Sequence, residues 1–576
     1  MIKKFLRVVR EYKKDCILAP AFVTLEVILE IFIPMIMALI VDVGMPDKDL
    51  PYILKIGGIL IIMAFLSLFF GILSGKYAAS ASAGFSKNLR HDMFHNMQSF
   101  SFSNIDKFST ESLVTRLTTD ISNVQNAFQM LLRSLFRAPI MLILALIMTL
   151  RINFHLSIIF FLAIPILGVG LIFIALRAHP YFKSVFRRYD RLNNIVQENV
   201  QGIRVVKAYV REDYEISKFH GISVAVYEKY KAAEKVIIFN SPLMQFVMYT
   251  CILLISWFSG QYIAAGTMQT GQFMSVLIYA MLILSSLMMI SMIFVMVMIA
   301  QASAERIIEV LDEKTEMANP ENALTEVADG SIVFENVSFS YRGNPNPSLK
   351  NVSFEIGSGE VVGILGGTGS SKSTLVQLIP RLYDVTEGSI KVAGHDVRTY
   401  DLETLHTEVA MVLQNNVLFS GTIRENIRWG DQHATDEEVE RVCKLAQAHD
   451  FIQSFPDGYD TVLEQGGTNV SGGQKQRLCI ARALLKKPKI LILDDSTSAV
   501  DTKTDALIRK AFREEIPDTT KIIIAQRINS VENADKIIVM HAGQIDGIGT
   551  SEELLKNNLI YQEVYESQMR GATVNE

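Results

Sequence analysis

The chain has 576 residues, of which 49% are hydrophobic and only 20% are charged, and its formal net charge is -5. This length suits two to four domains, and the composition argues against a wholly soluble enzyme, a disordered chain or a nucleic-acid-binding protein with a global basic field. The four cysteines form no C-x-x-C pair and indicate neither a disulfide framework nor a zinc site.

Six long apolar segments occupy the first half of the chain. They cover residues 16–44, 52–75, 130–150, 155–176, 236–265 and 272–300. Each reaches the ~20 residues that an α-helix needs to cross the bilayer core. Buried helices of a soluble domain are the alternative, but six such runs would be very unusual in a water-soluble core. We therefore predict an all-α transmembrane domain of six helices over residues 1–313, followed by a polar linker over 314–330.

Basic residues set the expected orientation of these helices. Lys and Arg are concentrated at the N-terminus, between spans two and three, and between spans four and five. The basic N-terminal segment also has the pattern of an amphipathic helix lying at the membrane interface. By the positive-inside rule, both termini and these two long connections face the cytoplasm.

The two long connections keep a helical pattern and contain no strong helix breakers. From Glu111 to Arg151 a continuous helix would be ~60 Å long, twice the bilayer core of ~30 Å. We expect two helical hairpins that project into the cytosol, with tips near 103–110 and 211–218 that are candidates for contacting the second half. Long solvated loops are the alternative.

Four charged residues lie within the predicted spans. Glu26 and Glu30 are four residues apart in span one, and Arg133 and Arg137 are four apart near the cytoplasmic end of span three. Charges inside a membrane are usually paired or face a cavity. They form either a structural Glu–Arg pairing between spans or a wall that attracts cationic cargo, and the sequence leaves both open.

Span six is rich in methionine. Met281, Ser285, Met288 and Met292 share one helical face. Methionine packs adaptably around varied apolar ligands, so this face suits a polyspecific cavity. A lipid-facing or helix-packing stripe explains the same pattern equally well.

The second half, residues 331–576, is predicted to be an α/β domain with a phosphate-binding loop. A buried strand over 360–365 leads into a Gly-rich loop and then a helical run, which is the P-loop context. The loop comprises Gly366, Gly367, Thr368, Gly369, Ser370, Ser371, Lys372, Ser373 and Thr374. Its backbone N–H groups and helix N-terminus are suited to nucleotide phosphates, with Lys372 on the β and γ phosphates and the Ser373 hydroxyl on Mg²⁺. Ser371 stands where glycine is usual, which we expect to cost backbone freedom without preventing ATP binding.

A second buried strand ends in a carboxylate. Residues 489–494 read Lys-Ile-Leu-Ile-Leu-Asp, and Asp494 follows four apolar residues at the carboxyl end of a parallel strand. We expect Asp494 to bind Mg²⁺ directly or through water.

Ser471-Gly472-Gly473-Gln474 lies between these two elements. In that position it resembles the signature of ABC transporter ATPases, and the whole chain resembles a half-transporter of the ABC exporter type. The resemblance implies a six-helix membrane domain plus an α/β P-loop nucleotide-binding domain, with ATP and Mg²⁺ as its ligands. It also implies that Ser471, Gly472 and Gly473 contact the γ-phosphate held by the P-loop of a second domain, stacked head to tail.

Other positions match elements of that family in order. Tyr341 matches the aromatic residue that stacks on adenine, and Gln414 matches the glutamine that senses Mg²⁺. Residues 498–501 match the D-loop, 463–467 the X-loop, and 204–214 the second coupling region.

Two positions depart from the family pattern. Asp495 stands where the family has a glutamate that polarises the attacking water, and Gln526 stands where it has a switch histidine. A carboxylate pulled back by ~1 Å suits general-base catalysis poorly, and glutamine cannot carry the positive charge of a histidine. We therefore expect a site that binds ATP but hydrolyses it at least ~10-fold more slowly.

This combination resembles one subunit of a heterodimeric ABC exporter, which implies multidrug export across a cell membrane, of the bacterial inner-membrane kind. The resemblance implies as partners a second, non-identical ABC half-transporter, the lipid bilayer and amphipathic small molecules, and we expect no nucleic acid. The chain's intact signature would complete the partner's active site. Lipid or peptide export are alternatives within the transporter class, and an ATP-gated channel or sensor is an alternative of another class.

Overall fold

The computed structural model describes residues 2–344, 346–495 and 500–573, which form two compact units. The first unit runs to Gln98 and resumes over Thr110–Glu313. The second comprises Ser99–Ser109 and the chain from Lys314 onward. The helices up to residue 313 are α1 (Ile2–Val8), α2 (Lys13–Leu39), α3 (Leu50–Gln98), α4 (Phe102–Phe108, in the second unit), α5 (Thr110–Thr115), α6 (Ile121–Ile152), α7 (Phe154–Gln201), α8 (Ile203–Ala208), α9 (Glu212–Ile237), α10 (Asn240–Ala264) and α11 (Thr270–Asp312).

Six helical stretches of the first unit are long and apolar enough to cross a membrane, which confirms the prediction of six spans. They are Arg10–Gly44, Leu50–Gln98, Thr110–Ile152, Phe154–Ala178, Glu212–Ala264 and Thr270–Asp312. α3 has 49 residues and α7 has 48, so each is much longer than the ~20 residues that a bilayer core requires.

The cytosolic extensions differ in detail from the expected continuous helices. A π-helical turn, Arg116–Asp120, separates α5 from α6. α7 and α9 pack against each other as a hairpin whose tip contains α8. Between α3 and α5 the chain forms α4, which belongs to the second unit and whose first turn is closed by a capping box between Ser101 and Asn104.

The core of the first unit lies among α2, α6, α7, α10 and α11. Tyr279 on α11 is fully buried, and its hydroxyl donates to the carbonyl of Ile31 on α2 at 2.7 Å. Large apolar side chains elsewhere on the spans, such as Phe65 and Ile62 on α3, are exposed. This distribution is that of helices whose outer surfaces face lipid rather than water.

The second unit contains a mixed set of strands and short helices. Its strands are β1 (Ile332–Phe339), β2 (Leu349–Ile356), β3 (Val361–Gly366), β4 (Glu387–Val392), β5 (His395–Asp396), β6 (Val409–Val412), β7 (Gly421–Thr422), β8 (Val462–Leu463), β9 (Ile490–Asp494), β10 (Thr520–Ile524), β11 (Lys536–His541) and β12 (Gln544–Gly549). Its further helices are α12 (Lys372–Gln377), α13 (Leu402–Glu408), α14 (Ile423–Ile427), α15 (Asp436–Leu445), α16 (His449–Gln453), α17 (Gly472–Leu485), α18 (Thr502–Glu515), α19 (Ser551–Asn557) and α20 (Leu559–Thr573).

A six-stranded sheet in the order β12-β11-β3-β10-β9-β6 forms the centre of this unit. All neighbours pair in parallel except β11 and β12. Successive residues of β9 enter opposite cores: Ile490 and Ile492 lie in one hydrophobic cluster, Leu491 and Leu493 in the other. A strand covered on both faces must be apolar throughout, which explains the run that ends at Asp494. The predicted α/β P-loop domain is confirmed.

Candidate functional site

The site lies at the carboxyl edge of β3, β10, β9 and β6, where four loops leave neighbouring strands. The register aligns Ile364 of β3 with Ile524 of β10, and Ile524 with Asp494 of β9. Because parallel strands end at one edge, the loop at 366–374, Gln526, Asp495 and Gln414 all emerge there. This topology gathers residues that are up to 160 positions apart (366 to 526) in the sequence.

The phosphate loop requires glycine at its first turn. A Cβ on Gly366, whose φ is +154°, would lie 2.3 Å from the carbonyl oxygen of Met540. Ser371 adopts the left-handed conformation with φ +70° and ψ +28°, which costs a residue with a Cβ ~1–2 kcal/mol. The sequence-based expectation of a backbone cost at this serine therefore has a geometric basis.

Lys372 reaches back over the loop. Its Nζ donates to the carbonyls of Gly366 and Gly367, both at 2.9 Å, and lies 3.4 Å from the Ser370 hydroxyl. Burial lowers the pKa of Lys372, while Asp494 and Asp495 oppose that shift. The ammonium group thus lies where the loop would surround phosphate oxygens.

Two oxygen-bearing side chains meet beside the loop. The Ser373 hydroxyl donates to Asp494 Oδ1 at 3.0 Å, and Asp494 is only 2% exposed. Burial raises the pKa of the Asp494 carboxyl, with a smaller contribution from the charge of Asp495. Hydroxyl and carboxylate oxygens are ligands that Mg²⁺ prefers, so these residues fit a magnesium ion.

The two departures from the family pattern are in direct contact. Gln526 Nε2 donates to Asp495 Oδ2 at 2.8 Å, and the Gln414 side chain also hydrogen-bonds Asp495. Burial raises the pKa of the Asp495 carboxyl, and these hydrogen bonds oppose the shift. The backbone of Asp495 is left-handed, at φ +49°. Both residues were identified from the sequence, but nothing in the sequence indicated that the Gln526 amide would hydrogen-bond the Asp495 carboxylate.

Tyr341, which follows β1, lies close to the loop. Its hydroxyl is 3.1 Å from Thr374 Oγ1, and its ring packs edge-on against Tyr383 with centroids 5.3 Å apart. The Tyr383 hydroxyl in turn donates to Asp106 Oδ2 at 2.8 Å. Burial raises the pKa of Tyr383, and Asp106 raises it further. Sequence reasoning missed Tyr383 and Asp106, since a single tyrosine and a single aspartate carry no motif.

The signature forms the N-terminus of α17. Ser471 and Gln474 close a capping box: the Ser471 N–H donates to Gln474 Oε1 at 2.8 Å, and the Gln474 N–H donates to Ser471 Oγ at 3.3 Å. Ser471 and Gly472 are exposed, and Gly473 and Gln474 are partly exposed. Among the described residues, no hydrogen bond or ion pair joins 471–474 to the phosphate loop at 366–374. A helix N-terminus of this kind attracts anions.

Part of the predicted D-loop lies outside the described residues, namely Ser498 and Ala499. Asp501, its last residue, accepts a hydrogen bond from the Thr504 N–H at 2.9 Å and caps α18. In the predicted X-loop, Gly466 and Gly467 take positive φ values of +72° and +62°.

Three of the four intramembrane charges of the first unit form ion pairs. Arg137 Nη1 lies 2.5 Å from Glu26 Oε1, and Arg137 Nη2 lies 2.7 Å from Glu30 Oε2. Glu26 packs against Gly71 of α3, where a Cβ would lie 3.2 Å from its carboxylate. Among the described residues, Arg133 makes no ion pair. This geometry favours the structural pairing of span one with span three.

Comparison with protein families decides the identity of the two units. Residues 16–305 match the ABC transporter transmembrane region, and residues 349–498 match the ABC transporter family. The chain belongs to the ABC transporter family. It is an ATP-driven exporter with an ATPase domain, and it is a multi-pass membrane protein whose nucleotide-binding domain is cytoplasmic.

Similar proteins support the exporter type. The chain is 38% identical over 567 residues to the ABC transporter ATP-binding protein YfiB of Bacillus subtilis, covering 98% of each chain. It is 33% identical over 534 residues to the ATP-dependent lipid A-core flippase of Desulfotalea psychrophila, covering 91% of each. The fold of this ABC exporter matches a solved bacterial Atm1-family ABC exporter with ATP bound, with a TM-score of 0.84, 23% identity and coverage of 96% and 99%.

Proposed function

We propose that this chain is one subunit of a heterodimeric exporter of amphipathic small molecules, with a weak ATPase site on its own P-loop. The observation that carries the proposal is the contact between Asp495 and Gln526. An aspartate is one methylene shorter than the family's glutamate, and Gln526 holds one of its two carboxylate oxygens. The carboxylate is therefore held back from the γ-phosphate, and general-base catalysis is sensitive to displacements of ~1 Å.

The other half of the machinery supports the pairing with a different chain. The signature sequence is complete, and the capping box between Ser471 and Gln474 orders the N-terminus of α17. A homodimer would combine two slow sites and leave transport without a competent ATPase. A heterodimer uses this chain's signature at the partner's P-loop, where a glutamate and a histidine would complete the site.

Each residue at the carboxyl edge has a distinct role in binding ATP. Tyr341 would stack on the adenine, and Lys372 and the loop N–H groups would hold the phosphates. Ser373, Asp494 and Gln414 would hold Mg²⁺. When bound, this ion would neutralise part of the phosphate charge. Asp495 would orient a water molecule, and Gln526 would hold that carboxylate in place. These roles bind and orient ATP, but they provide little general-base catalysis.

The cargo proposal draws on the methionine-rich face of α11. Met281, Ser285, Met288 and Met292 are all exposed in the single chain, although they lie on one side of a long apolar helix. Such a face suits a cavity completed by the partner, because methionine adapts to ligands of different shapes. The ion pair between Glu26 and Arg137 holds spans one and three together and does not bind cargo.

A lipid is the second candidate cargo. The relative from Desulfotalea psychrophila is named an ATP-dependent lipid A-core flippase. Reconstituted vesicles can separate the two: dye accumulation without loss of lipid asymmetry supports small-molecule export, and ATP-dependent lipid movement without dye accumulation supports a flippase. Downhill ion current driven by ATP binding alone would instead indicate a channel.

The weak site is tested by restoring the family residues. We expect the full-length chain, purified alone in lipid nanodiscs, to hydrolyse ATP slowly and the D495E/Q526H variant to be at least ~10-fold faster, since a correctly placed general base contributes at least that much. D518E, at an exposed aspartate remote from the four loops, is the matched control and should leave the rate unchanged. Hydrolysis by the unmodified chain as fast as by the double variant would contradict the proposal.

A further inference from the structure

A buried carboxylate outside the nucleotide site joins two helices of the membrane unit. Asp120 is fully buried, and it ends the π-helical turn that precedes α6. Arg306 of α11 donates from Nε to Asp120 Oδ2 at 2.8 Å and pairs with Oδ1 through Nη2. The Ser303 hydroxyl donates to Oδ1 at 2.9 Å. Both carboxylate oxygens are therefore bound by α11.

A second set of contacts repeats the connection one turn away. Arg116, at the start of the same π-helical turn, is only 8% exposed. Its Nη1 donates to the carbonyl of Arg306 at 2.9 Å and lies 2.9 Å from Glu309 Oε2. Asn123 Nδ2 donates to Ser303 Oγ at 3.2 Å. A π-helical turn inside a long helix frequently marks a functional position, and here it supplies both Arg116 and Asp120 to α11.

These contacts lie beside the points where the chain passes from one unit to the other. The chain leaves the first unit after Gln98, returns at Thr110 and leaves again after Glu313. Asn96, near the end of α3, donates to the carbonyls of Val310 at 2.7 Å and Glu313 at 3.0 Å. The ends of α3, the π-helical turn and α11 are thus joined by side chains close to all three crossings.

We propose that Asp120 and Arg306 form a clamp that makes the cytosolic parts of α6 and α11 move as one body during the transport cycle. Asp120 is then a positioning residue for coupling: motion received through any of the three crossings reaches both helices together. The alternative is a pair that breaks and re-forms in each cycle. Burial argues against it, because opening would leave the Asp120 carboxylate without a partner in a low-dielectric environment.

The direct test measures whether the two helices separate. Spin labels are placed at S122C on α6 and Q301C on α11, both exposed positions, in the full transporter isolated from membranes in nanodiscs. The label distance should agree within ~2 Å between the nucleotide-free and the ATP–vanadate states, which is the size of a small helix shift. A change of more than ~5 Å, well beyond such a shift, would overturn the proposal. The unmodified protein treated with label controls for its native cysteines.

A crosslink provides an independent test that needs no loss of folding. N123C and S303C, introduced together where Nδ2 and Oγ are 3.2 Å apart, should form a disulfide and leave ATP hydrolysis within ~2-fold of the reduced protein, since a helix pair that does not separate tolerates a bond across it. Loss of hydrolysis that reductant restores, or failure to form the crosslink, would contradict the clamp.

Charge variants then test the role of the pair in coupling. R306Q leaves a buried carboxylate without its guanidinium, so we expect kcat for ATP to fall ~10-fold while KM for ATP is unchanged, because the ATP-binding residues lie in the other unit. D120N/R306Q removes the charge as well and should recover most of the rate. Asp312 lies on α11, as Arg306 does, and forms an exposed ion pair with Lys4 of α1. D312N removes this pair and should change neither constant. An R306Q protein with normal kcat, or with altered KM alone, would refute a positioning role.

Discussion

Two regions of this ABC exporter differ in how closely they follow the family pattern: the hydrolytic corner, formed by Asp495 and Gln526, and the signature helix α17. At the corner, Asp495 replaces a glutamate, Gln526 replaces a histidine, and the two side chains hydrogen-bond each other at 2.8 Å. At the signature, Ser471 to Gln474 are unchanged and form a complete capping box at the N-terminus of α17. The chain therefore keeps the signature that it would contribute to a partner's ATP site. The two residues that it would use for hydrolysis at its own site are altered.

Under the proposed function, this difference would separate ATP binding from ATP hydrolysis within one domain. Lys372, Ser373 and Asp494 keep contacts that suit a nucleotide-binding site, so in the proposed heterodimer a nucleotide would stabilise the closed pair of domains without being cleaved here. The partner's site would then set the turnover of the transporter.

Replacing the signature serine should have the largest effect. In the transporter isolated with its partner, S471A should lower ATP hydrolysis by ~100-fold, because in the proposed heterodimer it would remove a donor to the γ-phosphate of the partner's ATP. Steady-state phosphate release measures the change. S454A, at a serine that donates only to the neighbouring Phe451 carbonyl, is the matched control. A loss of less than ~3-fold in S471A would mean that the signature does not serve the active site.

Removing the charge of Asp495 should matter much less in the same assembly. D495N should change ATP hydrolysis by less than ~3-fold, since a poorly placed base contributes little. The same phosphate assay measures it, with S471A as the contrasting variant. If D495N stopped turnover in the assembled transporter, the altered corner would be the working site.

The buried Asp494 carboxylate should lower the stability of the isolated chain at neutral pH. Burial raises its pKa, so the carboxylate is penalised above that pKa and the penalty disappears as the pH falls through it. D494N should therefore raise the melting temperature by a few degrees at pH 7.5, with a smaller gain at lower pH, and should weaken ATP binding in the presence of Mg²⁺. Scanning calorimetry at pH 7.5 and at lower pH measures the sign of the change in melting temperature and its dependence on pH. D518N, at an exposed aspartate, should produce no pH-dependent gain.

The smallest effect is expected at Ser371. S371G removes a Cβ from a residue with φ +70° and should raise the melting temperature by about 2 °C, because relief of ~1 kcal/mol shifts a domain of this size by roughly that amount. S370G is the opposing control, since the Ser370 hydroxyl donates to the Gly367 carbonyl at 2.8 Å. Equal destabilisation by both glycines would show that the Ser371 side chain has a role that its backbone conformation does not reveal.

Much of the fold followed from the sequence because its signals are local. The six spans are contiguous apolar runs, and the run that ends at Asp494 is apolar because both faces of β9 are buried. Likewise, the loop at 366–374 carries its own pattern of glycines, lysine and serine. Such signals do not depend on knowing where the rest of the chain lies.

The remaining features required the tertiary structure. The hydrogen bond between Gln526 and Asp495 depends on β9 and β10 being neighbours, which the order of residues does not state. The π-helical turn at Arg116–Asp120 lies within a pattern that looks helical throughout. The pairing of Tyr383 with Asp106 joins residues 277 positions apart, and neither residue belongs to a recognisable motif.

One measurement tests the asymmetry most directly. The transporter is isolated from its native membrane with its partner, allowed to turn over a photoreactive ATP analogue with Mg²⁺, trapped with vanadate and illuminated, and the label on each chain is quantified. We expect the vanadate-dependent, hydrolysis-trapped label on the partner's P-loop, with little on this chain. Equal trapped label on both chains, or label mainly on this one, would contradict it.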